Sequence, residues 1–146
     1  MPQVSIIIVS YNVEQLLLQC LYAIKKYFPS KYSYEIIVID NNSTDGSCDA
    51  IINNFHEVIL IKNQYNNGFS GANNQGIKIS KGNIIFLLNP DTELTEHTLL
   101  SLFDFVDQNN ANIIAAPQLL NSDTSFQNSC YKFPGSLQIV LEALFL

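Results

Sequence analysis

Short apolar, β-branched runs, each ending in polar residues, alternate with segments of helical period along this 146-residue chain. The runs occupy 4–9 (VSIIIV), 35–39 (EIIVI), 58–61 (VILI), 84–88 (IIFLL) and 113–116 (IIAA). Most are apolar at every position, the pattern of strands covered on both faces. After the first run, Asn12 reads as an N-cap with Gln15 as its capping-box partner, and Leu16, Leu17, Cys20, Leu21, Ile24 and Phe28 recur at helical spacing. A second helix is expected after Asp45-Gly46-Ser47 and a third from about 71 to 81. A fourth starts near Thr95 and carries Leu99, Leu102, Phe103 and Val106 inward. Such alternation implies right-handed βαβ crossovers and an α/β fold, an open, mostly parallel, doubly wound sheet.

A chain of this length buries roughly two-thirds of its unfolded surface. With 47% hydrophobic and 14% charged residues it is globular. All seven basic residues are lysines, against 13 acids, and the net charge is −6. That balance excludes a surface built to neutralise a nucleic-acid backbone, which needs clustered cations. An anionic small ligand would need a metal ion, a helix N-terminus or backbone N–H groups. Cys20, Cys48 and Cys130 form no close-spaced pair and read as reduced thiols of a cytoplasmic protein. Met-Pro-Gln leads into the first run without a basic region, so no secretion signal is expected. The apolar stretches fall short of the roughly 20 residues of a membrane span.

Two parts are expected, an α/β ligand-binding domain over 1–117 and a different segment over 118–146. After Pro117, the residues around the turn-like Asn121-Ser122-Asp123 read as a hairpin or an irregular loop. The 136–146 segment reads as a helix bearing Leu137, Ile139, Val140, Leu141, Leu144, Phe145 and Leu146. It is too apolar to face water alone. It must pack on the domain, a second copy in a homo-oligomer, the inner face of a membrane, or further chain.

In open α/β sheets, ligands bind outside the carboxyl ends of the strands. Here those ends run into Ser10-Tyr11-Asn12, Asp40-Asn41-Asn42, Lys62-Asn63-Gln64 and Asn89-Pro90-Asp91. Asn, Asp and Pro are ordinary turn residues, but four polar ends on one rim point to a polar ligand cleft. The G-x-G-x-x-G of dinucleotide-binding folds is absent, since Ser-Tyr-Asn-Val-Glu-Gln follows the first run. The phosphate-gripping P-loop pattern is absent too. The acidic pair and the third-strand aspartate of a phosphoacceptor domain are also missing.

The ordered strings VSIIIVSYN, EIIVIDNNSTDGS, NNGFSGANNQGI and GNIIFLLNPDTEL resemble the family 2 glycosyltransferases, inverting enzymes of the GT-A fold. The resemblance spans essentially the whole chain. Asn-Pro-Asp and the later SFQNSCYKFP look most like the rhamnosyltransferase branch. It implies donor-binding roles for Ser10, Tyr11, Asp40, Asn42, Asn67, Gly68, Asn73, Asn89 and Asp91. Tyr11 would stack on a pyrimidine and Asp40 would accept the base's imide N–H, favouring uracil or thymine over cytosine. Asn67, Gly68 and Asn73 match the family's N-x-G…N segment. Asp91 matches the last aspartate of the D-x-D motif and would hold Mg²⁺ or Mn²⁺ on the donor diphosphate. Asn89 replaces the first aspartate and adds no charge.

Each residue also has an ordinary alternative, Tyr11 as a rim aromatic, Asp40 as a turn cap, Gly68 as a loop glycine and Asp91 as a helix-start acid. Asp45 is read as a cap, and His56 and His97 as surface residues. Cys130 and Lys132 lie where acceptor or diphosphate would approach, with location alone in their favour. The family's general base comes from a later acidic pair. Glu93, Glu96, Asp104, Asp107, Asp123 and Glu142 lack that context, so no catalytic residue is expected in this chain.

Three functions follow from this. The first is the donor-binding part of an enzyme that moves a sugar from a UDP- or dTDP-sugar, dTDP-rhamnose included, to a polysaccharide or lipid-linked acceptor. The second is a non-catalytic nucleotide-sugar-binding or assembly module that uses 136–146. The third is a small transferase that borrows a base from another subunit.

Overall fold

A computed structural model describes residues 1–109, 113–121 and 123–127. Strands β1 (Val4–Ser10), β2 (Tyr34–Asp40), β3 (Ile59–Lys62) and β4 (Ile84–Leu88) form one sheet in the order β3-β2-β1-β4. Every pairing is parallel, with Ser10 opposite Asp40, Asp40 opposite Lys62, and Ile8 opposite Leu88. Helices α1 (Glu14–Tyr27), α2 (Ser47–Asn54) and α3 (Gly68–Ile79) connect the strands, and α4 (Glu96–Gln108) follows β4. The expected parallel α/β sheet and its four helices are present.

The larger core lies on one face. Val4, Ile6, Ile8, Ile36 and Val38 meet Leu17, Leu21 and Ile24 of α1, Ile51 of α2, and Leu99 and Phe103 of α4. On α1 the buried positions follow the i, i+3, i+4, i+7 stripe of an amphipathic helix. Glu14 in its first turn and Lys25 and Lys26 in its last suit the helix dipole. Phe28 takes an extended conformation before Pro29 and ends the helix. On the opposite face, Ile7, Ile37 and Ile39 pack with Ala72 of α3. Gly76 brings α3 down onto β1, because a Cβ there would stand 2.6 Å from Ile7 Cγ2.

Three expectations change. Residues 113–116 form no strand, and Ile114 is fully exposed. β-branched residues make a strand only where a neighbour completes the ladder and the side chains find cover. Double-sided cover also fails at β4, whose burial alternates and leaves Ile85 and Leu87 exposed. It is an edge strand, and α3 packs on β1 and β2. The third concerns Asn12, which is no N-cap. It adopts φ 53°, and α1 begins after Val13, whose own side chain makes no cap. Thr95, by contrast, caps α4, its Oγ1 accepting from Thr98 N at 3.2 Å.

The backbone divides into two compact units, Met1–Ile113 and Ile114–Leu146. In the second, Leu120 bridges Phe126 antiparallel, Gln127 N donates to Leu119 O (3.0 Å), and Asn121 N donates to Ser125 O (2.9 Å). Over 119–121 and 123–127 this is an antiparallel bridge, and residues 128–131 of the expected hairpin or loop lie outside the described residues. Cys130, Lys132 and the expected helix at 136–146 lie outside the described residues. Among the described residues, no helix is long and apolar enough to cross a membrane.

Candidate functional site

The two rims of the sheet treat buried polar groups differently. At the amino-terminal rim, buried Ser5 donates from Oγ to Glu35 Oε1 (2.6 Å) and accepts from Gly82 N (2.8 Å). Glu35 Oε1 also accepts from Lys81 N (2.6 Å). Every such group there has a partner, as interior polar atoms normally do. At the carboxyl rim, Ser10 (0% exposed) and Asp40 (2%) are opposite each other in register, and Ser10 Oγ and Asp40 Oδ1 have no hydrogen-bond partner among the described residues. The other carboxylate oxygen, Oδ2, accepts from Ser43 N at 2.9 Å. Leaving buried polar atoms unpaired costs about 1–3 kcal/mol each. Nothing in the packing of β1 and β2 requires a hydroxyl or a carboxylate there.

Loops clasp this rim. Asn12 Oδ1 accepts from Thr44 N (2.8 Å), and Asn12 N donates to Ser43 Oγ (3.0 Å). Asp45 accepts from Glu14 N (2.9 Å) at the start of α1, and from Ser47 N (3.1 Å) and Ser47 Oγ (2.5 Å) at the start of α2. One carboxylate thereby satisfies orphan N–H groups of two helices. Desolvation opposes its charge, yet the bonds from Ser47 and Glu14 leave the Asp45 carboxyl below its ordinary pKa. The expected capping role of Asp45 is present and doubled. The clasp holds Tyr11, 51% exposed, beside the end of β2.

Between the ends of β2 and β3 opens a cleft of about 280 Å³ lined by Asp40, Asn42, Ser43, Asp45, Cys48, Asp49, Lys62 and Asn63. Asn42 lines it with φ 69°, a conformation asparagine tolerates better than most residues. Burial, then the charge of Asp40, pushes the Cys48 thiol up to about 11, so at neutral pH it is an uncharged wall of the cleft. Cys20 belongs to the core, as expected. Its burial, then the charge of Asp91, pushes its thiol up to about 12.

Of the residues singled out in the sequence, Asp40 and Asn42 line the cleft, Ser10 ends β1 opposite Asp40, and Tyr11 follows it. Asn67 precedes α3, and Gly68 opens it with φ 70°. Asn73 does not join them. It is buried within α3, its Nδ2 donating to Phe69 O one turn back at 3.0 Å. Asn89 and Asp91 are exposed after β4, on the far side of β1 from the cleft, and Thr92 N closes a turn onto Asn89 O (3.2 Å). Asp91 has no hydrogen-bond or ion-pair partner among the described residues. No group of three or more His, Cys, Asp or Glu that could hold a metal is found among them either. One free carboxylate beside an amide suits a divalent cation shared with phosphate oxygens, and does not suit an all-protein cage.

A set of amides without any local sequence signal also meets at this rim. Asn63 Nδ2 donates to Asn41 Oδ1 (3.0 Å) and to Gln75 Oε1 (2.9 Å), and Gln75 Nε2 returns a bond to Asn63 Oδ1 (3.0 Å). Buried Asn41 reaches Gly68 O (3.3 Å) and accepts from Asn67 N (3.4 Å). The amides lock the start of α3 to the ends of β2 and β3. Asn41 and Asn63 stood in the strand-end clusters, but no local signal says that they bond one another. Gly68 has open space around it, so only backbone strain opposes a side chain there. Gly68→Ala should lower stability by about 1–2 kcal/mol and Gly68→Asn by clearly less. Denaturant midpoints check this, and equal losses would show that strain is not the cause.

The fold and rim define an open α/β domain with a polar cleft at the carboxyl ends of its parallel strands. The family model "Glycosyl transferase family 2" matches residues 5–139, and the chain belongs to that family. It is 35% identical over 116 residues to a poly(ribitol-phosphate) beta-glucosyltransferase of Bacillus spizizenii, covering 76% of this chain and 18% of that protein. With UDP-Glc:alpha-D-GlcNAc-diphosphoundecaprenol beta-1,3-glucosyltransferase WfaP of Escherichia coli the identity is 40% over 95 residues, 62% of this chain and 36% of that one. Among solved structures, S. aureus TarS 1-349 with UDP-GlcNAc superposes with TM-score 0.66 at 21% identity, over 80% of this chain and 37% of that one. Mannosyltransferase PcManGT from Pyrobaculum calidifontis, with GDP-Man and Mn²⁺, gives 0.65 at 23% identity, over 72% and 32%. These two likenesses establish the GT-A sheet, and the chain spans less than two-fifths of each relative.

Proposed function

We propose that this chain carries the donor-nucleotide part of an inverting glycosyltransferase, and that the whole enzyme moves a sugar from a UDP- or dTDP-linked donor to a polyol-phosphate polymer or lipid-linked glycan. The observation that carries the reading is the unpartnered, buried pair Ser10 Oγ and Asp40 Oδ1 at the ligand rim of a family 2 fold. An imide N–H would give Asp40 its missing partner, and Tyr11 offers a ring for the base to stack on. Uracil and thymine present the same imide edge, so dTDP-rhamnose stays among the candidate donors. The relatives' names support the acceptor class, poly(ribitol-phosphate) in one and a diphosphoundecaprenol-linked sugar in the other.

A nucleoside diphosphate laid along the rim from β3 towards β4 brings its phosphates to Asp91 and Asn89. Asp91 would hold Mg²⁺ or Mn²⁺, which offsets charge on the departing diphosphate. The N-terminus of α3 favours the same negative charge. The general base is assigned outside the described residues. Within them, Asp104 is committed to Lys31 and Tyr32, and Asp123 to Ser125.

UDP with Mn²⁺ at about 100 times its Kd should stabilise the chain by about 2.7 kcal/mol, a rise of several degrees in Tm. Asp91→Ala should remove the metal-dependent increment and keep the increment due to UDP alone. Asp91 is exposed and has no partner among the described residues, so the unliganded Tm of Asp91→Ala should match that of the parent chain. No shift at millimolar UDP would overturn the reading.

A further inference from the structure

Ser10, Asp40 and Lys62 close β1, β2 and β3 and are register partners across the parallel ladder, so all three side chains leave the same face of the sheet. The row reads hydroxyl donor, carboxylate acceptor, ammonium donor. Asp40 and Lys62 are adjacent and oppositely charged, and both line the cleft, yet they form no ion pair within 4 Å among the described residues. Among the described residues that line the cleft, Lys62 is the one cation, beside Asp40, Asp45 and Asp49. The neighbouring donor, Asn63, is not free, because its amide is spent on Asn41 and Gln75. The cleft therefore offers a carboxylate and an ammonium held apart, and a ligand edge with N–H beside C=O would bridge them.

We propose that Lys62 is a specificity-determining residue that donates to the carbonyl beside the imide N–H, so that the cleft selects a pyrimidine-2,4-dione base. This rests on the nucleotide-donor reading above. The imide N–H and the carbonyl beside it are the complement of the Asp40–Lys62 pair that lines the cleft. Cytosine presents an amino donor where the dione has a carbonyl. It would set that amino group against the ammonium and a ring-nitrogen lone pair against the carboxylate. Lys62 thus both attracts the right base and repels the wrong one, the two components of specificity.

The test is calorimetric titration of the 146-residue chain and of Lys62→Met and Lys62→Arg with UDP and with CDP, all with Mn²⁺. The unsubstituted chain should prefer UDP. Lys62→Met should weaken UDP by about tenfold, as expected for a lost charge-assisted hydrogen bond, with CDP unchanged or tighter. Lys62→Arg should keep the preference. Lys62 is exposed at the end of its strand, so the unliganded Tm should hardly move. Equal losses for UDP and CDP would mean that Lys62 serves only as charge for the diphosphate, and would overturn the proposal alone. An unchanged UDP affinity would overturn it as well. No UDP binding by the unsubstituted chain would overturn both this proposal and the donor reading beneath it.

Discussion

Phe103→Ala is expected to destabilise the chain by about 3–5 kcal/mol, the usual cost of emptying a large aromatic site in a core. Domains of this size have roughly 5–15 kcal/mol in total, so the variant should sit near the edge of folding. Phe103 is fully buried on α4. Its ring lies 5.3 Å from Phe28, 5.7 Å from Tyr32 edge-on and 5.4 Å from Phe86 edge-on, centroid to centroid. Such pairs add about 0.5–1.5 kcal/mol each beyond burial. The cluster joins α4 to β4 and to the turn after α1, and its outer edge is fixed by polar bonds. Tyr32 donates its hydroxyl to Asp104 Oδ1 at 2.7 Å, and Lys31 Nζ reaches the same oxygen at 2.7 Å. Those bonds, Lys31 first, hold the Asp104 carboxyl below its ordinary pKa. With so many fixed neighbours, the hole left by alanine cannot easily close. Phe105, two residues on and exposed, is the control, and Phe105→Ala should cost less than about 0.5 kcal/mol. Urea denaturation decides the matter. The midpoint of Phe103→Ala should fall with m unchanged, and a loss no greater than that of Phe105→Ala would refute the account.

What could be read from the sequence, and what could not, follows from the range of the interactions involved. β1, β2, β4 and the buried stripe of α1 are local patterns, and they form as the apolar spacing requires. The carboxyl rim was legible for the same reason, since a polar residue ending a greasy run stands out where it occurs. The cap of α1 was not, because its acceptor is Asp45, 31 residues away on another loop. Asn12 carried the right residue type for an N-cap but is occupied in bonding Thr44. The Asn41–Asn63–Gln75 amides were invisible for a related reason, as each alone is an ordinary turn or helix-surface residue. Residues 113–116 failed in the opposite direction, with strand composition but no neighbour to complete a ladder. The exposed face of β4 was missed because apolar composition says what a strand could bury, and only the packing of α3 decides what it does bury.

Asp40→Asn should abolish most of the affinity for UDP, by more than tenfold, while leaving the fold nearly intact. The two oxygens of Asp40 have different duties, and the substitution separates them. Oδ2 accepts from Ser43 N and shapes the loop that clasps Tyr11 into place. An asparagine oxygen can keep that bond. Its Nδ2 then stands where the unpartnered Oδ1 was, with a donor in place of an acceptor. Against an imide N–H, donor faces donor at a buried position, a mismatch that discriminates strongly between otherwise isosteric ligands. Asp40→Ala is the weaker experiment, because it loses both oxygens and confuses a disturbed loop with a lost contact. The measurements are the unliganded Tm, which should stay close to that of the parent chain, and UDP affinity by calorimetry. Cytosine offers a lone pair at the ring position where uracil has its N–H, so Asp40→Asn should also narrow the gap between UDP and CDP, and it should do so with Lys62 still in place. Retention of UDP binding within about twofold of the parent would mean that the buried carboxylate serves the loop alone. The orphaned oxygen of β2 would then be a feature of the turn, and the base would have to be sought elsewhere along the rim.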